Sequence, residues 1–305
     1  MTYTVRWSLP NPACLLTGLF LAHCFAVGLL PARAESVIGL TTANSLVTFD
    51  SATPSAISAA IPITGIGAET IFDIDRRPEN GLLYGFGSAG NLYLVDPITG
   101  AATLNAALTG VNLDPGATRF SIDFNPTVDR LRIISDTGQN LRLTPGTGTT
   151  SVDGPLNGAS TGAVSVACTN NTGTATTTML FYIGPSTPTS LFNTSNPNAG
   201  VLDLVGALGV GSTQNVGFDI SGLSGIAYAA LSQPTGGGSS LYTINLTTGA
   251  ASLVGTIGGS ATLRGIALST GAIPEPTSIV LFSLGLVGVG AFLTRRRRCV
   301  VAIHE

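Results

Sequence analysis

The chain has 305 residues, of which 44% are hydrophobic and only 10% charged, with no lysine and two histidines. Between Glu35 and Gly271 it carries 14 acidic residues against 7 arginines, which disfavours nucleic acid or an anionic membrane surface as a partner. Both histidines, His23 and His304, lie outside that stretch, so Ser-His-Asp catalysis and imidazole-ligated zinc are excluded from it.

Residues 1–34 read as an export signal. Arg6 precedes the apolar run ACLLTGLFLAHCFAVGLL, and Ala32 and Ala34 supply small residues at the two positions a signal peptidase reads. Lipidation of Cys24 in LAHC is the alternative, and His23 opposes it by filling a position that normally takes a small residue. Cys14 and Cys24 lie in this segment and Cys299 near the other end, which leaves Cys168 alone in the body 35–271. An exported body without an internal disulfide needs a large apolar core, and Cys168 is expected to be a buried packing residue.

The body repeats. Hairpin-like segments start at Ser45, Asn91, Asn140, Ser190 and Ser240, spaced 46, 49, 50 and 50 residues apart. Each reads as strand, turn, strand. In DPITG, Pro97 presets φ at the first corner and Gly100 takes the left-handed conformation that closes a bulged hairpin; Gly249 does the same in NLTTGA. A second set interleaves with the first, around Phe72, Phe120, Val166, Phe218 and Ile266, spaced 46 to 52 residues apart. Four short strands per unit of about 48 residues predict an all-β fold, a five-bladed β-propeller with four antiparallel strands per blade.

The ends of the body complement each other. The first hairpin copy lacks an inner strand before it, and the last inner-strand copy, LRGIALST, lacks a hairpin after it. The strand from Leu263 to Thr270 is therefore expected to join the N-terminal blade, closing the ring and covering two edges.

With histidine absent from the body, carboxylates and arginines carry what chemistry there is. Asp75 and Asp123 occupy equivalent places in IDRRP and IDFNP, and Asp73 and Asp219 form another such pair. On inner strands they would face the central channel, where a glycosidase carboxylate pair or a calcium ion would sit. The plainer reading is a turn device, each side chain capping backbone amides. Arg130 and Arg132 share a strand face, with Arg142 near, and are expected to pair in solvent with Asp129 and Asp136. The minority reading has these guanidinium groups hold acidic or hydroxylated sugars. No catalytic residue, metal-ligand set or cofactor is expected.

Beyond the body, residues 277–293 are uncharged and span about 26 Å as a helix, close to the hydrocarbon thickness of a bilayer. Arg295, Arg296, Arg297 and Arg298 follow at once and hold the cytoplasmic side, leaving 299–305 as a short tail there. Pro274, Glu275, Pro276, the apolar run and the four arginines together resemble the PEP-CTERM sorting signal of Gram-negative bacteria. That resemblance implies recognition of 272–298 by an exosortase, a transient stage in the inner membrane, and display at the cell surface or in an extracellular polymer matrix.

The body resembles the exported bacterial family known as domain of unknown function 4394, through FDIDRRPENGLLYGFG, IDFNPTVDRLRIISDTGQNLRL and YTINLTTGAASLVGTIGG. This supports the propeller-like fold and brings no activity with it. The expected function is a non-catalytic structural or binding module for extracellular polysaccharide or a surface protein, met by signal peptidase and exosortase during export. The alternative is a carbohydrate-active enzyme, a glycosidase or lyase that uses channel-facing aspartates.

Overall fold

A computed structural model describes residues 34–184 and 189–268. The expected cleavage residue Ala32, the sorting residues Pro274 to Pro276 and Arg295 to Arg298, the apolar segment 277–293 and the tail 299–305 lie outside them. Among the described residues no helix is long and apolar enough to cross a membrane.

The body is a five-bladed β-propeller. From the channel outward, blade 1 consists of Leu263–Leu268, Ser36–Thr41, Ser45–Asp50 and Ile61–Pro62, so the C-terminal strand closes the ring by completing the N-terminal blade. Blade 2 runs Ile71–Arg76, Leu83–Gly87, Asn91–Val95 and Ala102–Ala107; blade 3 runs Phe120–Asn125, Arg130–Ser135, Asn140–Leu143 and Thr150–Val152. Blade 4 is formed by Ser165–Cys168, Leu180–Gly184, Ser190–Thr194 and Val201–Ala207, and blade 5 by Val216–Ile220, Ala227–Ser232, Ser239–Ile244 and Ala251–Thr256. Blade 4 departs from the expected four strands: Asn157–Gly158, arriving from blade 3, adds a fifth that pairs in parallel with Val201–Leu202.

The core is not central. It is divided into five apolar seams, one between each pair of adjacent blades. Strand alternation explains this, because successive side chains leave opposite faces of a blade. In blade 1, Val37 and Val47 pack against Tyr228 and Leu241 of blade 5, whereas Ile38 and Leu46 pack against Ile71 and Leu83 of blade 2. Each blade is thus buried on both faces, and closing the ring covers the seam between the first and last blades as well.

The repeated turn glycine serves that closure. Gly100, Gly148, Gly200 and Gly249 have φ of 73°, 72°, 71° and 80°, which a residue with a Cβ rarely adopts. A Cβ at each would also sit 2.0 to 2.5 Å from a carbonyl oxygen of the preceding blade, at Pro62, Ala107, Pro155 and Gly206 respectively. The turn itself is held by a side chain, as where Asp96 Oδ1 accepts the Ile98 N–H at 2.8 Å and Asn245 Oδ1 accepts the Thr247 N–H at 2.9 Å.

Candidate functional site: the central channel

The inner strands contact one another in ring order and line a narrow channel. Small residues permit the approach. At Gly217 a Cβ would lie 2.6 Å from the Gly265 backbone, and at Gly265 it would lie 2.2 Å from Asp73 Oδ1.

The channel carboxylates cap backbone amides, as the plainer reading held, but across blades and not within a turn. Asp75 accepts the Phe124 N–H of blade 3 at 2.7 Å and its own neighbour's, Arg76, at 2.6 Å. Asp73 accepts Ser121 Oγ–H at 2.6 Å and the Ile122 N–H at 3.2 Å. Asp123 accepts the Cys168 N–H of blade 4 at 3.1 Å, and Asp219 the Leu268 N–H of blade 1 at 2.7 Å. Both pairs picked out by the repeats therefore hold neighbouring inner strands side by side. Cys168 is a free, wholly buried thiol whose pKa is pushed up by burial and by Asp123.

One end of the channel is closed by a residue that the repeat pattern does not single out. Arg119, just before the inner strand of blade 3, donates to the carbonyls of Phe72 in blade 2, Val216 in blade 5 and Arg264 in blade 1. It also lies 3.9 Å from the Asp73 carboxylate. One guanidinium thus ties four blades together. The sequence signal was slight: an arginine directly before an inner strand in a chain with few charges.

At the other end, Asp75, Asp123 and Asp219 converge from three blades, one carboxylate oxygen of each lying within 4.8 Å of the others. They are only 2%, 1% and 2% exposed. Asp219 has its pKa pushed up to about 7, by burial first, with the amide bonds of Leu268 and Ile220 opposing. Asp73 is pushed up to about 6 by burial, with Arg119 opposing. Burial raises Asp75 and Asp123 as well, helped by neighbouring carboxylates. Such a carboxyl keeps its proton in the fold after the unfolded chain has lost its own near the ordinary value of ~3.9. Its contribution is fully present below that value and is lost as pH rises towards the folded-state pKa. In metal-free buffer the urea midpoint is expected to fall between pH 5 and pH 8; a rising midpoint contradicts this account.

The arginine group is arranged differently from expectation. Arg132 and Arg142 pair not with Asp129 and Asp136 but with Asp153, whose side chain is buried, at 2.6 and 2.8 Å. Arg132 is itself buried and also donates to Asn140 at 2.7 Å and Asn198 of blade 4 at 2.9 Å. Asp129 instead binds Arg77 of blade 2, and Asp136 accepts from Thr118 at 2.5 Å. Solvation fails for Arg132, whose partner follows a strand two away in the same blade and is buried with it, whereas Arg142, on the strand between, stays 30% exposed. Arg130 is half-buried and lines a cleft of about 180 Å³ with Val128, Arg142, Pro197 and Asn198.

The family described as "Domain of unknown function (DUF4394)" matches residues 45–267, from the hairpin of blade 1 to the closing strand. The chain belongs to that family. A PEP-CTERM protein-sorting motif matches residues 272–298 and implies export to the cell surface or extracellular space, with processing by an exosortase. No curated protein matches the DUF4394 chain in sequence. Among solved structures it is similar to a protein of unknown function from Bacteroides thetaiotaomicron VPI-5482, at 13% identity and a TM-score of 0.46, over 78% of this chain and 65% of that one. It is also similar to the Kuenenia stuttgartiensis hydrazine synthase, at 14% identity and a TM-score of 0.38, over 62% of this chain. The aligned part spans about half, 51%, of the hydrazine synthase chain.

Proposed function

We propose that this exported propeller is a non-catalytic module of the cell surface or extracellular polymer matrix, binding hydroxylated or acidic glycan, or a surface protein, weakly and at several points. The observation that carries the reading is the state of the channel carboxylates. Each is buried and spent on backbone amides of the next blade, whereas a hydrolase must present its acid and base to substrate. Separation alone favours the alternative, since carboxyl groups about 5 Å apart suit a retaining glycosidase. Burial outweighs it.

Two surface features suit weak, repeated contacts. Leu104, Val152, Leu204 and Leu253 stand four residues after the turn glycine in four successive blades, 58 to 67% exposed, one per blade on the fourth strand from the channel. Arg130, in its cleft beside Asn198, offers a guanidinium to a sugar hydroxyl or carboxylate. Incubating the purified exported protein with the producing organism's own polymer is expected to release no oligosaccharide, and Arg130→Ala to weaken retention on that polymer severalfold. Oligosaccharide release that disappears in Asp75→Asn or Asp123→Asn establishes the enzyme instead.

On the same reading the apolar segment 277–293 holds the precursor in the inner membrane until the exosortase acts at Pro274, Glu275 and Pro276. Replacing Glu275 by Ala, or deleting Arg295 to Arg298, is expected to leave the precursor in the inner-membrane fraction. Normal release of either variant rules out this route.

A further inference from the structure

The acidic end of the channel holds more unneutralised oxygen than the fold itself requires. Beyond the three converging aspartates there is Glu35, 2% exposed, with neither carboxylate oxygen hydrogen-bonded. Its carbonyl accepts the Ser51 N–H at 2.8 Å, extending the ladder of blade 1 by one residue. By strand alternation its side chain therefore leaves on the same face as Val37, which packs in the seam with blade 5. Tyr228, in that seam, stands opposite Asp219 in the strand register. Asp219 in turn reaches across to Leu268, the partner of Val37. Glu35 and Asp219 thus lie at the same seam between blades 1 and 5, one at the start of the second strand of blade 1 and the other on the inner strand of blade 5.

A second buried oxygen without a partner belongs to a loop at the same end. The loop after Cys168 leaves blade 4 and crosses the channel end: the Asn171 carbonyl lies 2.2 Å from where a Cβ of Gly222 in blade 5 would be, and a Cβ at Gly173 would lie 2.9 Å from the Pro78 carbonyl of blade 2. Asn171 is 2% exposed and its Oδ1 has no hydrogen-bond partner. Asn171 itself lies against blade 5, which carries Asp219, and the same loop reaches blade 2, which carries Asp75, at Gly173. The cationic group nearest in effect is Arg76, which is attracted to both Asp75 and Asp219. One guanidinium is set against four buried carboxyl groups.

We infer that Asp75, Asp123 and Asp219, roofed by Asn171 and flanked by Glu35, form a binding site for one divalent hard cation, of the calcium class, on the propeller axis. The donor set is all oxygen, carboxylate with an amide, as Ca²⁺ prefers. The mutual spacing of up to 4.8 Å is what oxygens about 2.4 Å from a common ion require. A cation here also offsets the mutual repulsion of three carboxylates gathered in a low-dielectric channel. Three blades contribute one ligand each, so the ion would tie the ring at the end opposite Arg119.

The test titrates CaCl2, and separately MgCl2, into the exported protein after EDTA treatment, by calorimetry and by thermal melting at pH 7.5. The expected result is one Ca²⁺ per chain and a melting temperature raised by ~5 °C or more at saturating ion. Asp123→Asn, which keeps an amide-accepting oxygen, is expected to lose at least tenfold in Ca²⁺ affinity while retaining its circular dichroism. Asn171→Ala lies in a loop outside the blade ladders and should lose affinity with the metal-free melting temperature unchanged; it decides the matter where the aspartate variant does not fold. No binding heat and no change in melting with either ion overturns the site, as does undiminished Ca²⁺ affinity in both variants.

Discussion

A chain ending before Leu263 is expected not to hold the propeller together. The missing strand, Leu263–Leu268, is buried at every position, and it supplies Leu263, Ile266 and Leu268 to the seam with blade 5 and Ala267 to the seam with blade 2. At roughly 1.5 to 3 kcal/mol per large apolar side chain, its loss removes on the order of 6 kcal/mol, against a typical domain stability of about 5 to 15 kcal/mol. It also uncovers the backbone edge of Ser36–Thr41 and takes away the amide that Asp219 accepts. The truncated chain should aggregate, or melt far lower with exposed apolar surface that binds a hydrophobic dye. Moving the same six residues through a flexible linker to the position before Glu35 should restore near-native melting, because blade 1 is then assembled from contiguous chain. A soluble truncation with unchanged melting temperature would refute closure by this strand.

Arg119→Met is expected to be the most damaging single substitution in the channel. Methionine retains much of the apolar stem but none of the donors, so the Phe72, Val216 and Arg264 carbonyls lose a partner and Asp73 loses its nearby positive charge. Burial already lowers the pKa of Arg119, and Arg264 is held down to about 10 by burial and by Arg119 itself, so some desolvation and repulsion is relieved in the variant. Removing one side of a buried charged network nonetheless costs about 3 to 5 kcal/mol, because what remains is unpaired and cut off from water. That corresponds to a fall in melting temperature on the order of 10 °C for a domain of this size. Arg119→Lys should recover only part of it, since one ammonium cannot span three carbonyls on three blades. A melting temperature within 2 °C of the parent in Arg119→Met, on the scale of about 2 to 4 °C per kcal/mol, would show that the carbonyls are satisfied some other way.

The two ends of the channel make a contrast that bears on function. One is closed by a cation distributing donors to carbonyls; the other gathers carboxylates with too few donors among the described residues. On the proposed function, a partner is met instead at the exposed apolar residues of the fourth strands and in the cleft beside Arg130.

What the sequence by itself determined is what depends on neighbours along the chain. Repeated hairpins, the turn glycines Gly100 and Gly249, the buried thiol of Cys168 and the complementary split of blade 1 all follow from local spacing and strand alternation. The recurrence of Asp75 with Asp123, and of Asp73 with Asp219, marked channel positions. Only the tertiary structure decided what those side chains do, because an aspartate that caps its own turn and one that reaches the next blade look alike in sequence. The same holds for Arg132 and Arg142, whose partner is Asp153 and not the closer Asp129 or Asp136. It holds most of all for Asp75, Asp123 and Asp219, 48 and 96 residues apart in the chain and within 4.8 Å in space. The period places each residue in a blade, but the distance across the axis is set by how closely the inner strands pack, and that depends on all five seams together.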